Sequence, residues 1–130
     1  MFKIYTDGAS KGNPGPSGAG GIIYDSSGTI IAKISENLNT QTNNVAEYLA
    51  LKLTLERAIE LNLKCVEVFM DSKLVVEQIQ GRWKIKNEHL KEIHTQIQSL
   101  LFNFEQISFT HIYRHFNKIA DNLANQGIST

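Results

Sequence analysis

The stretch of sequence that decides the fold reads Tyr5-Thr6-Asp7-Gly8-Ala9-Ser10-Lys11-Gly12-Asn13-Pro14-Gly15-Pro16. The apolar run at residues 2–6 predicts a first β-strand, which ends at Asp7. Glycine and proline recur through residues 8–16, and this composition predicts a turn. A carboxylate therefore stands at the end of a strand, which is where open α/β folds tend to place their sites.

Three further acidic residues occupy comparable positions. Glu47 lies in the first turn of a predicted helix, and Asp121 lies in the first turn of a short C-terminal helix. Asp71 ends a second apolar run at residues 66–70. Taken singly, each of these residues reads as a helix cap, a turn former or a solvated side chain. Together with Asp7 they predict an acidic cluster, whose mutual repulsion hard divalent cations would relieve.

The hydrophobic pattern predicts the element order βββ, α, β, α, α, β, α. Two runs at residues 20–24 and 29–35, joined by a turn signature, predict a hairpin that continues the first strand as a meander. A helix is predicted at residues 45–61, with Asn43 or Asn44 as its cap. The remaining predictions are a strand at 65–70, helices at 72–80 and 87–104, a strand at 107–113, and a helix at 120–126 that Gly127 ends. This order predicts an α/β fold, a mixed sheet with helices on both faces, in a single domain over residues 1–130.

The composition is that of a globular protein, with 42% hydrophobic and 20% charged residues. No apolar run approaches the roughly 20 residues that cross a bilayer, and the N-terminus shows no basic-then-apolar leader. We therefore expect a cytoplasmic monomer with no membrane association and no obligate protein partner. Thirteen basic and thirteen acidic residues cancel, a balance that neither supports nor excludes nucleic acid as a partner.

The opening stretch closely resembles the first motif of ribonuclease H, type 1. The resemblance continues through Thr42-Asn43-Asn44-Val45-Ala46-Glu47, through Asp71-Ser72, and through Asn117-Lys118-Ile119-Ala120-Asp121-Asn122-Leu123-Ala124. Any one of these pieces is a weak signal, but four in this order span nearly the whole chain. The resemblance implies a ribonuclease H-like fold: a five-stranded mixed sheet, with strands 1–3 antiparallel and strands 4 and 5 parallel to strand 1.

The resemblance also implies an activity, because the family cuts the RNA strand of an RNA–DNA hybrid with two divalent metal ions. Asp7 and Asp71 would hold the metals at the ends of adjacent central strands. Glu47 would ligate one metal and contact the 2′-hydroxyl side of the substrate, and Asp121 would complete the second metal site. We expect Mg²⁺, with Mn²⁺ as a substitute, because carboxylates suit such ions. Two ions about 3.5–4 Å apart can activate a water and stabilise the leaving oxygen.

Several polar residues are candidate substrate contacts by the same resemblance. Asn13, Asn43 and Asn44 match positions that touch the minor groove of the hybrid, where 2′-hydroxyls are exposed. Thr42 resembles the position that helps to hold a DNA-strand phosphate, and Ser72 is a further candidate beside the third motif. Turn formation by Asn13 and helix capping by the other two asparagines are alternatives that can coexist with substrate binding.

One basic stretch, Gly81-Arg82-Trp83-Lys84-Ile85-Lys86-Asn87, surrounds the only tryptophan. In the family this region follows the DNA strand, so Trp83, Lys84 and Lys86 are candidate contacts that set affinity without reading sequence. A solvated loop with Trp83 anchored in the core is the alternative.

Two departures from the family pattern stand out. Many bacterial members carry a longer basic insertion between two of their helices, and here Gly81 runs almost directly into the long helix, so this is a compact form without that protrusion. Many members also place a mobile histidine in a longer loop before the last aspartate. Here the loop is only residues 114–118, and Arg114 or His115 is the candidate for releasing the product phosphate.

Other functions remain open on the sequence. The chain could be a hybrid-binding module with weak or lost catalysis, although all four carboxylates are present. It could be a related nuclease that also acts on double-stranded RNA, or one of the DNA-cutting enzymes that share the fold. It could also be a domain of a larger polypeptide such as a reverse transcriptase, although Met1 and the compact length favour a stand-alone protein.

Overall fold

The computed structural model describes residues 1–130. The strands are β1 (Phe2–Ser10), β2 (Gly15–Tyr24), β3 (Ile30–Gln41), β4 (Cys65–Met70) and β5 (Gln106–His111). The helices are α1 (Asn43–Glu60), α2 (Lys73–Ile79), α3 (Glu88–Leu101) and α4 (Lys118–Ile128), with a 3₁₀ turn at Arg114–Phe116. The element order predicted from the hydrophobic pattern is confirmed.

The five strands form one mixed sheet in the order β3-β2-β1-β4-β5. β1, β2 and β3 pair antiparallel, whereas β4 is parallel to β1 and β5 is parallel to β4. Thr6 of β1 lies opposite Met70 of β4, so Asp7 and Asp71 follow at the same level on adjacent strands. The predicted five-stranded topology is confirmed, and it brings two of the four carboxylates together.

Two neighbouring glycines of β2 show that helices cover both faces of the sheet. A Cβ atom on Gly20 would lie 2.1 Å from the carbonyl oxygen of Ala120 in α4. A Cβ atom on Gly21 would lie 2.1 Å from Oγ1 of Thr54 in α1. Because successive residues of a strand point to opposite faces, α4 and α1 lie on opposite sides of the sheet. The absence of side chains at these glycines lets both helices pack directly on the central strands.

The main hydrophobic core lies between the sheet and the helices α1, α2 and α3. Its fully buried large side chains include Ile4, Tyr48, Leu51, Leu55, Val66, Val68, Val75 and Ile97. Each such side chain contributes about 1.5–3 kcal/mol by leaving water. This core fixes α1 against β1, and the position of α1 determines where Glu47 lies.

The start of α1 differs from the prediction. Thr42 is the N-cap, rather than Asn43 or Asn44, because its Oγ1 accepts a hydrogen bond from the Val45 amide at 3.3 Å. The helix therefore begins at Asn43, and Glu47 lies in the second turn rather than the first. A carboxylate in the second turn of a helix gains little from the helix dipole. Interaction with the dipole therefore does not explain why residue 47 is acidic.

Two other predicted boundaries were also wrong. β1 continues to Ser10 and β2 begins at Gly15, so the predicted turn at residues 8–16 shrinks to 11–14. Gly127 does not end the last helix but lies inside it, where a Cβ atom would be 2.5 Å from the Glu36 carbonyl oxygen of β3. Close packing of α4 on the sheet, rather than helix termination, accounts for this glycine.

None of the helices combines the length and the apolar character that a bilayer crossing requires. The cytoplasmic location, the monomeric state and the assignment of residues 1–130 to one catalytic domain stay predictions.

Candidate active site

Asp7 has the smallest solvent-exposed fraction of the four candidate acidic residues, at 5% of its surface. The pKa of Asp7 is raised to about 7, chiefly by burial and also by the nearby charges of Asp71 and Asp121, while a hydrogen bond with Glu47 partly opposes the rise. At that pKa about half of the Asp7 side chains hold a proton at pH 7, and a cation bound beside Asp7 would favour the charged form.

Glu47 reaches the cluster from α1 because that helix passes directly over Gly8 of β1. A Cβ atom on Gly8 would lie 2.3 Å from the carbonyl carbon of Ala46, a distance that leaves no room for a side chain. The Gly8 amide donates a hydrogen bond to Oε1 of Glu47 at 3.2 Å. The other oxygen, Oε2, is buried without a partner. Burial, followed by the charge of Asp7, raises the pKa of Glu47 well above its usual value.

Asp71 follows β4 directly and completes a group of three carboxylates. One oxygen each from Asp7, Glu47 and Asp71 lies within 4.8 Å of the other two. The side-chain amide of Asn117 donates a hydrogen bond to Oδ2 of Asp71 at 3.0 Å. The sheet supplies two members of this group and α1 supplies the third.

Asp121 faces the same cavity from the first turn of α4. It lies outside the group of three, but its charge contributes to the raised pKa of Asp7. The cavity has a volume of about 400 Å³, and the residues that line it are almost all polar: Asp7, Gly8, Ala9, Ser10, Asn43, Glu47, Asp71, Arg114, Asp121 and Asn125. The four acidic side chains singled out in the sequence thus face one cavity.

The two candidates for phosphate release lie at different cavities. Arg114 is exposed and lines the acidic cavity. His115 lines a separate cavity of about 580 Å³, and its ring centroid lies 4.1 Å from that of Phe116. Arg114 therefore has the more direct access to an anion bound near the carboxylates.

Of the polar candidates, Asn43 lines the same cavity and Asn13 is hydrogen-bonded to Asn43. Oδ1 of Asn13 accepts a hydrogen bond from the backbone amide of Asn43 at 3.0 Å. The side-chain NH₂ of Asn13 is therefore free to donate. Asn43 lines the cavity and Asn44 is exposed. Thr42 and Ser72 use their hydroxyl oxygens as helix-cap acceptors, and each keeps its hydroxyl proton for a further acceptor.

Trp83 lies on the surface, with 44% of its area exposed, so it is not anchored in the core. Nζ of Lys73 lies 5.9 Å from the centroid of its ring, within the range of a cation–π contact. Lys84 and Lys86 are exposed beside it. The segment between α2 and α3 thus presents an exposed indole ring, with the ammonium group of Lys73 over it and two exposed lysines close by in the sequence.

Two asparagines that the sequence analysis did not single out also contact the carboxylates. Nδ2 of Asn125 donates to Oδ1 of Asp121 at 3.2 Å, and the spacing of four residues on α4 could have indicated this pair. Asn117 contacts Asp71, which lies 46 residues earlier in the chain. No local pattern could have indicated that contact.

The donor set fits a hard divalent cation. All four acidic side chains offer only oxygen, the ligand type that Mg²⁺ and Mn²⁺ prefer. Oε2 of Glu47 is buried and lacks any hydrogen-bond partner. A cation bound between Asp7, Glu47 and Asp71 would supply that partner and reverse the effect of burial on their charges.

Comparison with known proteins places the chain in a family. The chain matches a family model described as reverse transcriptase-like over residues 5–127. A ribonuclease H of Thermoanaerobacter pseudethanolicus is 30% identical over 145 residues, which cover 98% of this chain and 90% of that protein. The chain belongs to the ribonuclease H family.

Two other relatives of this ribonuclease H family member are longer proteins. Ribonuclease HI of Halobacterium salinarum is 38% identical over 124 residues, which cover 95% of this chain and 62% of that protein. A bifunctional protein of Mycobacterium tuberculosis is 41% identical over 126 residues, which cover 96% of this chain and 35% of that protein. The chain thus spans only part of the length of these relatives.

Solved structures of the ribonuclease H family have the same fold. The N-terminal ribonuclease H domain of the M. tuberculosis protein superposes with a TM-score of 0.94 at 41% identity, covering 98% of both chains. LC11-RNase H1, solved in complex with an RNA/DNA hybrid, superposes with a TM-score of 0.94 at 40% identity, covering 99% of this chain and 97% of that one. The resemblance to ribonuclease H that the sequence motifs indicated is confirmed.

Proposed function

We propose that the chain is an endoribonuclease that hydrolyses the RNA strand of RNA–DNA hybrids with the help of divalent cations. The observation that carries this proposal is the group formed by Asp7, Glu47 and Asp71, with one oxygen of each within 4.8 Å of the others, in a ribonuclease H family member. The complex of LC11-RNase H1 with an RNA/DNA hybrid supports the choice of substrate.

The four acidic residues Asp7, Glu47, Asp71 and Asp121 would hold two cations, Mg²⁺ or Mn²⁺. When bound, these ions would lower the pKa of an attacking water and stabilise the charge on the leaving oxygen. The protein supplies no nucleophile in this reaction, and its acidic side chains fix the geometry in which the phosphodiester is held.

Around this cluster, the polar residues would position the hybrid. The free side-chain NH₂ of Asn13, together with Asn43 and Asn44, can hydrogen-bond the 2′-hydroxyls that distinguish RNA from DNA. The hydroxyl protons of Thr42 and Ser72 remain available for phosphate oxygens. Substrate specificity would then come from contacts to the RNA sugars, without reading of bases.

The surface formed by Trp83, Lys84 and Lys86 would follow the DNA strand. Exposed lysines attract phosphates independently of sequence, and an exposed tryptophan provides an apolar face for sugars or bases. Arg114 lines the cavity, and its planar guanidinium, which matches the geometry of a phosphate, would contact the product phosphate as it leaves.

A cleavage assay with one end-labelled RNA strand tests the proposal. The strand is paired with DNA, paired with RNA or left single, and each substrate is incubated with Mg²⁺, with Mn²⁺ or with EDTA. Cutting of the DNA-paired RNA that EDTA abolishes is the expected result. Asp7→Asn should abolish cutting while hybrid binding persists. Asp25→Asn is the control and should cut normally, because Asp25 lies in the turn between β2 and β3, next to the start of β1.

The other outcomes distinguish the alternatives. Cutting of RNA paired with RNA as well would indicate a broader nuclease. Binding of the hybrid by folded protein without cutting under any metal would indicate a binding module, and would contradict the proposal.

A further inference from the structure

We propose that Asn117 is a positioning residue that orients the carboxylate of Asp71 toward the bound cations, an inference that rests on the proposed function. Asn117 lies between the 3₁₀ turn and α4 and is 1% exposed. Its side-chain amide donates to Oδ2 of Asp71 at 3.0 Å and to the backbone carbonyl of Thr6 at 2.9 Å. One side chain thus joins the backbone of β1, at the peptide before Asp7, to the carboxylate that directly follows β4.

The chemistry of the two acceptors fixes which way this amide points. The Asp71 carboxylate and the Thr6 carbonyl can only accept hydrogen bonds, so the NH₂ group of Asn117 must face them. Oδ1 of Asn117 consequently points away from both and is buried without a partner. The hydrogen bond to Oδ2 leaves the second oxygen of Asp71 for another ligand, and it restricts rotation of the carboxylate.

Helix capping does not account for Asn117. The residue occupies the N-cap position of α4, where an asparagine oxygen normally accepts from a helix amide, but its side chain makes no capping hydrogen bond. Asn87 at the start of α3 shows the usual arrangement, because its Oδ1 accepts from the Leu90 amide at 3.0 Å. The Asn117 side chain instead donates to Asp71 and to the backbone of β1 at Thr6.

Asn117 also connects a third element of the site. Its backbone carbonyl accepts the first helical hydrogen bond of α4, from the amide of Asp121 at 3.1 Å. The same residue therefore contacts the peptide before Asp7, the carboxylate of Asp71 and the backbone of Asp121. Loss of the Asn117 side chain should therefore weaken cation binding by the carboxylates more than it weakens substrate binding by the protein.

The inference predicts a specific defect in Asn117→Ala. Groups that hydrogen-bond to metal ligands commonly contribute about 10- to 100-fold to metal affinity or activity. We expect the dissociation constant for Mn²⁺, measured on the substrate-free protein by electron paramagnetic resonance, to rise by about that factor. The Mg²⁺ concentration that half-saturates cleavage should rise in parallel, while KM for the hybrid at saturating Mg²⁺ stays within about twofold.

Asn87→Ala is the matched control, because it removes the same side chain from another helix N-terminus. We expect it to lower stability and to leave Mn²⁺ affinity unchanged. If Asn117→Ala lowers the urea midpoint but binds Mn²⁺ and responds to Mg²⁺ like the unmodified protein, Asn117 is only structural and the inference is wrong. If the unmodified protein itself neither binds Mn²⁺ nor cleaves, the proposed function fails instead.

A second measurement needs no variant and so does not depend on whether Asn117→Ala folds. The side-chain amide signals of Asn117 in the nitrogen–proton NMR spectrum should shift when Mg²⁺ is added, because their acceptor Asp71 changes its electronic environment. Those of Asn87 should stay in place. Unchanged Asn117 signals in protein that demonstrably binds Mg²⁺ would overturn the inference.

Discussion

The amide of Gly8 donates a hydrogen bond to Oε1 of Glu47 at 3.2 Å, and this contact exists only because residue 8 has no side chain. The backbone of α1 passes so close to β1 that a Cβ atom at Gly8 would lie 2.3 Å from the Ala46 carbonyl carbon. The distance between helix and strand therefore determines whether Glu47 reaches Asp7. A glycine adjacent to a candidate ligand thus controls the geometry of the cluster.

Gly8→Ala should impair both stability and cleavage, because the added methyl group must push α1 away from β1. Overpacking of this kind typically costs about 1–3 kcal/mol, and a displacement of Glu47 should reduce the cleavage rate by about tenfold or more. Urea unfolding and a single-turnover cleavage assay measure the two effects. Gly28→Ala is the control, since a Cβ atom there meets nothing within 4 Å and only its positive φ of 88° is strained. Equal cleavage by the two variants would contradict the packing argument.

The raised pKa of Asp7 predicts how the stability of the metal-free protein depends on pH. The unfolded chain loses the Asp7 proton near pH 4, whereas the folded protein keeps it to about pH 7. The folded state thus binds more protons between these values, so the free energy of unfolding should fall as pH rises from about 4 to about 7. The slope from one such group is at most about 1.4 kcal/mol per pH unit. Urea unfolding in EDTA across this range measures it.

Asp7→Asn should reduce that decline, because the variant has no proton to lose at this position, while the raised pKa of Glu47, whose main cause is burial, leaves a residual decline. Asp25→Asn should retain the decline, since hydrogen bonds from Ser27 and the Thr29 amide lower the pKa of Asp25 rather than raise it. Saturating Mg²⁺ should restore stability to the unmodified protein at pH 7 by binding only the folded state. A flat profile for the unmodified protein in EDTA would refute the assignment of Asp7 as a buried, protonated carboxyl.

Arg114→Ala should slow cleavage under multiple turnover more than under single turnover. Arg114 lines the acidic cavity, and a charge-assisted contact that forms to the product phosphate as it leaves the cations would lower the barrier to release by about 1.5–3 kcal/mol, or about 10- to 150-fold in rate. His115→Ala is the natural comparison, because His115 lines the neighbouring cavity and should change either rate by less than threefold. A larger loss in the histidine variant would transfer the phosphate role to His115.

Trp83→Ala should weaken hybrid binding by about 5- to 100-fold, the range expected for one aromatic contact to a nucleotide, and should leave the single-turnover rate at saturating protein nearly unchanged. Hybrid affinity can be measured with Asp7→Asn as the background, since that variant should bind without cutting. Phe102→Ala is the control, because Phe102 is an aromatic residue that is 91% exposed beyond the end of α3. Equal affinities in the two variants would show that Trp83 does not contact the substrate.

The hydrophobic pattern predicted the element order, because strand and helix periodicities are local, whereas the pairing of the five strands was predicted from the resemblance to ribonuclease H. Some predicted boundaries were wrong. Thr42 rather than Asn43 or Asn44 caps α1, and Gly127 lies within α4 because the helix approaches the backbone at Glu36. The position of Gly127 is not encoded in the neighbouring residues, since it depends on where β3 lies, whereas the Thr42 cap is a local contact with the Val45 amide among three adjacent residues that can all cap a helix.

By itself, the sequence determined which residues can form an acidic site: four carboxylates, each near the end of a strand or the start of a helix, in motifs that resemble ribonuclease H. Only the tertiary structure decided how they meet. The parallel register of β1 and β4 sets Asp7 beside Asp71, the absent side chain of Gly8 admits Glu47, and Asn117 holds Asp71 across 46 residues of chain. The physical reason is that repulsion, burial and hydrogen bonding act over a few ångströms in space. Residue spacing along the chain does not report such distances.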